Sequence, residues 1–406
     1  MRFIQLLILS SSLFNPLFAQ STTDSIQGQN IQEKPFLKVD LGKDRTIEFV
    51  QFIQLWSMYS IDYAGSDKQS RNDIFIRRGR FGAIGYARKQ LYYSFNFAFD
   101  NLGKDKNTSS PGIPNLGDNR DFFPLDVFLT WQKSIHFNLT AGYFRPQVGK
   151  ESMTSPIYMP SMEKALPNVQ PRFFIVGRNT GREAGLNLGG IHLGNKWSIG
   201  YNLGIFDPSH ELIVGEGNRW APLTTGRVTF TVGDPELQKY KIQYAQSYYG
   251  KRNGTTLGLN ASHQGKTDLF NRNTFYGIDI LSNYGPIDFN AEYDWMSRNS
   301  YTDVRPCTTI DKVYSIKLAY NHYLKNGWAL QAAVAHSGEV ADDVGDAAHL
   351  NSYTGSNDQT INDVGINWLI YQDRAKFGIH YIFGKLEEKK PDNEFSYATA
   401  VFQILF

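Results

Sequence analysis

Apolar and polar residues alternate one by one along most of this chain. In residues 91–100 the apolar positions are Leu91, Tyr93, Phe95, Phe97 and Phe99. Successive side chains of a β-strand point to opposite faces, so this segment has one apolar and one mostly polar face. Similar alternation occurs in 125–132, 197–205, 287–295 and 314–321. The pattern predicts an all-β protein.

Three further features favour an antiparallel transmembrane β-barrel over a soluble β-sandwich. Most alternating segments have about 9–12 residues, the length that crosses a bilayer at about 45° tilt. Aromatic residues lie near segment ends, as in interfacial girdles; they are Trp131, Tyr143, Trp197, Trp295 and Trp328. Tight turns alternate with long polar loops, which are 101–124, 145–181, 207–224, 298–311 and 339–361. Short periplasmic turns and long external loops are typical of outer-membrane barrels.

The strand count leaves one segment to be explained. Seventeen segments alternate, whereas a single-chain bacterial barrel has an even number of strands. The regular succession of short and long connections is interrupted between 233 and 274. We therefore predict sixteen strands, with 240–249 inside a long periplasmic connection (233–253). Segment 255–264 is the other candidate for exclusion, and eighteen strands is the alternative count.

Both ends of the chain carry features of an exported barrel. Residues 1–19 contain one Arg, an apolar run and a small residue at Ala19, which predicts a secretory signal peptide. Residues 20–45 are polar and are expected to form a flexible periplasmic extension, followed by the barrel at 46–406. The chain ends in YATAVFQILF. Phe406, at the end of an alternating strand, resembles the signal recognised by the barrel assembly machinery.

Composition excludes several other classes of protein. The 41 Lys and Arg residues nearly balance the 39 Asp and Glu residues, whereas a nucleic-acid binder has a basic excess. The one cysteine, Cys307, lies in the predicted loop 298–311 and excludes an internal disulfide framework or a cysteine-rich metal site. No cofactor is expected. Four histidines on predicted strands lack a nucleophile motif, so we do not expect an enzyme; they are His136, His263, His336 and His380.

Several stretches, in this order and spacing, resemble the phosphate-selective porin O and P family. They are FIRRGRFGAIGYA (75–87), LTAGYFRPQVGKESMTSPIYMPSMEKALPN (139–168), GREAGLNLGG (181–190), YGPIDFNAEY (284–293) and NGWALQAAVAHSGE (326–339). The resemblance implies a sixteen-stranded porin that forms a homotrimer in the bacterial outer membrane. It also implies an inward-folded third loop and the uptake of phosphate or other small anions. Contacts with lipopolysaccharide and outer-membrane lipids are expected at such a location.

The third loop is the first candidate for the selective part of a pore. Segment 145–182 holds six basic residues against Glu151 and Glu163, a local balance of +4. The six are Arg145, Lys150, Lys164, Arg172, Arg178 and Arg182. Basic side chains that line a constriction favour anions. The alternative is a solvated surface loop whose basic residues meet lipopolysaccharide phosphates.

A second basic cluster lies on a predicted strand at 77–80. Arg78 and Arg80 are two residues apart, so both lie on the same face of the strand. An Arg on the lipid face at mid-depth costs about 2–4 kcal/mol, so we expect this pair to face the lumen. Arg77 is then expected to face a subunit interface or the headgroups. The alternative places all three arginines at the rim. Lys317 and Lys376 also have lumen parity, as do four acidic residues, Asp100, Asp126, Glu292 and Asp294.

The expected function is passive diffusion of small anions through a water-filled channel. Few basic residues on the later strands have the position that faces the lumen, so we do not expect the pore to be specific for phosphate. Phosphate and polyphosphate are candidate solutes among other small anions. The alternative is a structural or adhesive outer-membrane barrel whose lumen is plugged by side chains.

Overall fold

The structure is a computed structural model. It describes residues 37–61, 70–104, 122–178, 180–208, 221–267, 270–301, 306–342, 358–370, 374–386 and 394–405. The predicted signal peptide, most of the predicted extension at 20–45 and Phe406 lie outside these residues. Within the described ranges, no helix is long and apolar enough to cross a bilayer.

Seventeen strands make up most of the described chain. They are β1 (Lys38–Asp40), β2 (Thr46–Ile61), β3 (Arg71–Arg88), β4 (Leu91–Leu102), β5 (Phe123–Ser134), β6 (Phe137–Phe144), β7 (Glu183–Leu193), β8 (Trp197–Phe206), β9 (Leu223–Gly233), β10 (Gly254–Gln264), β11 (Phe270–Tyr284), β12 (Ile287–Tyr301), β13 (Pro306–Tyr323), β14 (Ala329–Val340), β15 (Gln359–Leu369), β16 (Ala375–Leu386) and β17 (Glu394–Leu405).

The strands β2 to β17 form a closed antiparallel barrel. Each pairs with its neighbours in the chain, and β17 pairs with β2 through a register that includes Gln403 opposite Gln54. Closure removes the free edges that an open sheet would leave. The short strand β1 pairs with the start of β2 outside this ring. The predicted count of sixteen barrel strands is therefore confirmed, and the alternative of eighteen is wrong.

Side chains sort to the two faces of the wall as the alternation predicts. On β10, Leu257 and Leu259 are 42% and 55% exposed, whereas Thr256 before them and Asn260 after them are buried. Because the barrel is closed, the exposed apolar face is the outer one, which fits contact with lipid. The buried polar face lines the lumen.

Of two predicted connections, the one at 298–311 differs from the structure and the one that contains 240–249 agrees with it. The predicted loop at 298–311 is wrong, because β12 continues to Tyr301 and β13 begins at Pro306, with Cys307 opposite Ser300. This part of the pair is polar, so apolar alternation could not reveal it, but the backbone ladder continues through it. Segment 240–249 contains no strand, as predicted, because β9 ends at Gly233 and β10 begins at Gly254.

Two segments that connect strands fold into the lumen. We call residues 145–182 the lumen loop and residues 234–253 the periplasmic connection. The lumen loop contains two helices, α1 (Lys150–Met153) and α2 (Leu166–Val176), and a 3-10 turn (Pro156–Tyr158). Pro167 lies at the start of α2, where its missing N–H is not needed, and Gly177 ends the helix in the left-handed conformation with φ 69°.

Apolar side chains of these segments pack against the inner face of the wall. Phe174, Ile175 and Val176 of α2 belong to a buried cluster with wall residues such as Phe144 and Phe206. A barrel of sixteen strands is otherwise wide enough for a water-filled channel. The lumen loop therefore narrows the interior and has its own hydrophobic contacts with the wall.

Candidate pore constriction

Two arginines of β3 hold the middle of the lumen loop. Arg77 donates from Nε and Nη2 to Glu163 Oε2 at 3.0 and 2.8 Å, and Arg78 bonds to the other oxygen of Glu163. The prediction that Arg77 faces outward is wrong. The register of β2 with β3 shifts between Gln54 and Leu55, so that Arg77 is bulged and both arginines turn into the lumen.

The tip of the lumen loop reaches across the barrel to its last strands. The Met162 amide donates to Asp363 Oδ2 on β15 at 2.7 Å, and Asp363 Oδ1 lies 2.6 Å from His380 Nδ1 on β16. Lys376 Nζ donates to the Met159 carbonyl at 3.3 Å. These bonds place 159–163 against the wall opposite the loop's own strands, so the loop is inside the barrel and not a solvated surface loop.

The carboxyl end of α2 is bonded to the wall by side-chain donors. Asn273 Nδ2 on β11 and Arg298 Nη2 on β12 donate to the Phe174 carbonyl at 2.6 and 2.7 Å. The last carbonyls of a helix have no partner within the helix, so such donors satisfy them. Gln170 Nε2 also donates to Glu339 on β14 at 2.6 Å.

The lumen loop and the periplasmic connection pair with each other in the interior. Thr154 and Tyr244 form an isolated parallel bridge, with Ser155 N donating to Tyr244 O at 3.1 Å. The amides of Gln246 and Ser247 both donate to the Tyr158 carbonyl, at 3.1 and 3.2 Å. A segment from each end of the barrel thus contributes to one internal layer.

Two lysines among the predicted pore residues are neutralised in this layer. Lys150 Nζ lies 2.8 Å from Glu236 of the periplasmic connection, and Lys317 Nζ on β13 lies 2.6 Å from Glu151. Burial would raise the pKa of Glu151, but the Lys317 ammonium holds that pKa below its usual value. Both lysines therefore act in ion pairs that fix the loop.

Four other basic side chains come together where the lumen loop begins and ends. Arg145 follows β6 and Arg182 precedes β7, and these strands pair with Phe144 opposite Glu183, which brings the two arginines side by side. Lys164 and Arg172 approach from the middle of the loop, and both are buried. We call Arg145, Lys164, Arg172 and Arg182 the basic cluster.

Neutral oxygens, not carboxylates, accept the hydrogen bonds of Arg145 and Lys164. Arg145 Nη1 and Lys164 Nζ both donate to the Ser152 carbonyl, the latter at 3.0 Å, and both reach Asn168 Oδ1. Lys164 Nζ also donates to the Glu151 carbonyl at 3.1 Å. Among the described residues, Arg145 Nε has no acceptor at all. Neither of these two cations thus has a bonded carboxylate among the described residues.

Mutual repulsion is visible in the acid–base properties of the cluster. Burial lowers the pKa of Lys164 well below its usual value, and the neighbouring Arg145 and Arg172 lower it further. Burial also lowers the pKa of Arg145, with Arg182 and Arg172 as the largest repulsive neighbours. A negatively charged ligand would relieve this repulsion.

The remaining predicted pore residues are ion-paired. Arg182 donates from Nε and Nη2 to the two oxygens of Asp126 at 2.9 and 3.1 Å, so it joins the cluster with its charge partly offset. Arg80 pairs with Asp100, with Nη2 2.8 Å from Oδ2. Arg178 Nε lies 3.2 Å from Glu183, and its side chain is 25% exposed. Arg78 is bonded to Glu163.

Three lumen arginines on or near later strands were missed by the sequence reasoning. Arg227 on β9 pairs with Asp279 on β11, Arg252 donates to Asn283 Oδ1 at 2.6 Å, and Arg298 lies on β12. The expectation of few lumen cations on the later strands is wrong. Strand alternation was the available signal, since Arg227 and the apolar Val228 are neighbours and must lie on opposite faces. The structure buries Arg227 in the lumen.

No group of three or more His, Cys, Asp or Glu side chains is arranged to hold a metal ion in the part of the chain that the structure describes.

A closed sixteen-stranded barrel with an apolar outer face and an inward-folded loop defines the class of outer-membrane porins. The chain belongs to the family of phosphate-selective porins O and P, whose profile matches residues 53–340. It is accordingly an integral protein of the bacterial outer membrane. No curated protein sequence matches it significantly.

Solved porin structures share the fold at low sequence identity. An anion-selective porin from Comamonas acidovorans is 9% identical with a TM-score of 0.58, covering 89% of this chain and 100% of that chain. OprB from Pseudomonas putida is 8% identical with a TM-score of 0.57, covering 89% and 94%. The channel DcaP of Acinetobacter baumannii is 13% identical with a TM-score of 0.52, covering 89% and 97%. These likenesses concern the fold alone.

Proposed function

We propose that this porin allows passive diffusion of small anions and that the basic cluster forms its selective constriction. The observation that carries the proposal is the bonding of Arg145 and Lys164 to main-chain and amide oxygens instead of carboxylates. Their charge is not offset by a bonded acid, so it can lower the energy of an anion in the lumen. Phosphate is one such anion. Diffusion of this kind requires neither catalysis nor a cofactor.

The anion preference is expected to be weak. Of the nine predicted pore residues, six have a carboxylate partner: Arg78, Arg80, Lys150, Arg178, Arg182 and Lys317. A paired cation contributes little net potential at a distance, because its partner cancels much of its field.

We also propose, from the family alone, that the porin forms a homotrimer, contacts lipopolysaccharide and is inserted by the barrel assembly machinery.

Reversal potentials in a KCl gradient test the role of the cluster. The double variant Arg145→Gln with Lys164→Gln removes two cations of the basic cluster that bond to neutral oxygens. We expect the anion-to-cation permeability ratio to fall towards one. Arg178→Gln is the matched control, because it neutralises a cation of the same loop that is already paired with Glu183. The assignment is wrong if the double variant keeps the anion preference. Cation preference in the unmodified protein would reject anion conduction itself.

A plugged structural barrel is the second candidate, and one observation favours it. The lumen loop and the periplasmic connection bond to each other inside the barrel, through Thr154 and Tyr244 among others. Planar-bilayer recordings distinguish the two functions. A porin gives discrete conductance steps, whereas a barrel closed by these segments gives none.

A further inference from the structure

Two carboxylates on β12 stand side by side on the lumen wall. Glu292 and Asp294 have the same parity and are 3% and 0% exposed. Glu292 Oε2 accepts the Glu151 amide at 2.6 Å, but among the described residues its Oε1 has no hydrogen-bond donor. Neither oxygen of Asp294 has a donor within the described ranges. Buried carboxylates ordinarily have a donor or a cation beside them.

A buried hydroxyl faces the same place. Ser315 on β13 is directly opposite Glu292 in the antiparallel register and is 0% exposed. Side chains at opposite positions lie about 4.5–5.5 Å apart at Cβ. The Ser315 Oγ has no hydrogen-bond partner among the residues that the structure describes. It is therefore a second kind of buried, unbonded oxygen, on the strand position next to Glu292.

Glycines make room for both carboxylates. A Cβ on Gly277, which pairs with Asp294, would lie 2.3 Å from Asp294 Oδ1. A Cβ on Gly149, where φ is 72°, would lie 2.8 Å from Glu292 Oε1. The carboxyl groups are therefore seated in small recesses formed by two separate segments of the chain.

The cations of this region are already paired with other acids. Arg227 is bonded to Asp279, Lys150 to Glu236 and Lys317 to Glu151. In the described chain, no ion pair is formed by Glu292 or Asp294. Glu292 and Asp294 are therefore two lumen acids without a bonded cation, beside cations whose bonded partners are other acids.

We propose that Asp294, Glu292 and Ser315 bind a hard, oxygen-preferring divalent cation such as Ca²⁺ in the lumen. Ca²⁺ accepts carboxylate, hydroxyl and water oxygens in flexible geometries of about 6–8 ligands, so two carboxylates and a hydroxyl are a feasible protein share. A single shared proton could join the two carboxyl groups, but it would leave the Ser315 hydroxyl unexplained. The cation accounts for all three sets of unbonded oxygens. This site is separate from the basic cluster.

Calcium binding to the refolded full-length porin tests the site. The protein is refolded in detergent without lipopolysaccharide, which itself binds Ca²⁺, and titrated by equilibrium dialysis with radioactive Ca²⁺. We expect about one saturable site per chain. We expect Asp294→Asn to weaken binding at least about tenfold and Ser315→Ala to weaken it a few-fold. Glu394→Gln, which removes an exposed charge at the start of β17, should bind as the unmodified protein does.

If Asp294→Asn does not fold, Ser315→Ala and Gly277→Ala test the same site in the same binding assay. Gly277→Ala would displace the Asp294 carboxylate and should also weaken binding. The absence of a saturable site in the unmodified protein would overturn the proposal, as would equal binding by Ser315→Ala, Gly277→Ala and Glu394→Gln. An infrared band of a protonated carboxyl that persists at saturating Ca²⁺ and disappears in Asp294→Asn would assign the pair to a proton instead.

Discussion

Removal of the Glu163 carboxylate should release the middle of the lumen loop from the wall. Glu163 is the shared partner of Arg77 and Arg78, which are 2% and 4% exposed. Burial by itself would raise the pKa of Glu163, but the two arginines lower it from 4.5 to about 2. A shift of this size corresponds to roughly 3 kcal/mol in favour of the bonded carboxylate.

In Glu163→Gln the two buried guanidinium groups lose their counter-charge. Loss of one partner from a buried ion pair costs about 3–5 kcal/mol, which agrees with the value from the pKa. If this energy acts on the attached loop, the ratio of detached to attached states rises about a hundredfold. Single-channel recordings should then show frequent transitions between conductance levels. The permeability ratio should also shift towards anions, since one lumen acid is gone.

The control for this prediction is Glu394→Gln, which removes an exposed carboxylate elsewhere. The reasoning fails if Glu163→Gln and Glu394→Gln give the same current noise and the same reversal potential. The pH dependence has a definite sign. A carboxyl with a lowered pKa stabilises the attached loop fully above its ordinary pKa and loses this effect as the pH falls towards about 2. Recordings between pH 5 and neutral pH, roughly, should therefore show no transition from this group.

Three further changes test the site and its supports. Because burial lowers the pKa of Lys164, the ammonium loses its proton earlier than an exposed lysine as the pH rises. Reversal potentials should show falling anion preference at alkaline pH, and Lys164→Gln should lack this step. Gly181→Ala should reduce anion preference, since its Cβ would lie 2.4 Å from the Arg172 stem. Gly42→Ala, with a similar φ of 71° but no neighbour, is the control. His380→Phe removes the 2.6 Å bond to the carboxylate that holds the loop tip. This loss weakens tip attachment by about 2 kcal/mol and should increase current noise.

The barrel itself was predictable because its wall obeys one local rule. Lipid outside and water inside impose a period of two on every strand, and each strand repeats the pattern independently. The even number of strands then identified 240–249 as the segment outside the wall. The end of β12 from Arg298 and the start of β13 up to Thr309 do not follow this rule. Backbone pairing holds them together, and their residues do not alternate between apolar and polar, so the sequence does not show these parts of the strands.

The orientation of Arg77 shows where parity fails. Parity assigns a side chain to a face only while the register is regular, and a single bulged residue reverses it locally. The β3 bulge turns Arg77 and Arg78 to the same side, where one carboxylate serves both. Nothing in the order of the residues marks the bulge, because its stabilising partner, Glu163, comes from a loop far along the chain.

The charge of the lumen loop explains why a count of cations overstates selectivity. The loop has a balance of +4 in the sequence, yet Lys150 and Arg182 bond to acids of the connection and the wall. Conversely, the two acids of the loop bond to wall cations outside it. Potential at the constriction therefore depends on which charges lack a partner after folding. Arg145 and Lys164 meet that condition because the strands on either side of the loop bring the bases together while the neighbouring acids are already bonded. Selectivity in this porin should accordingly respond to these two residues far more than to any paired cation of the same loop.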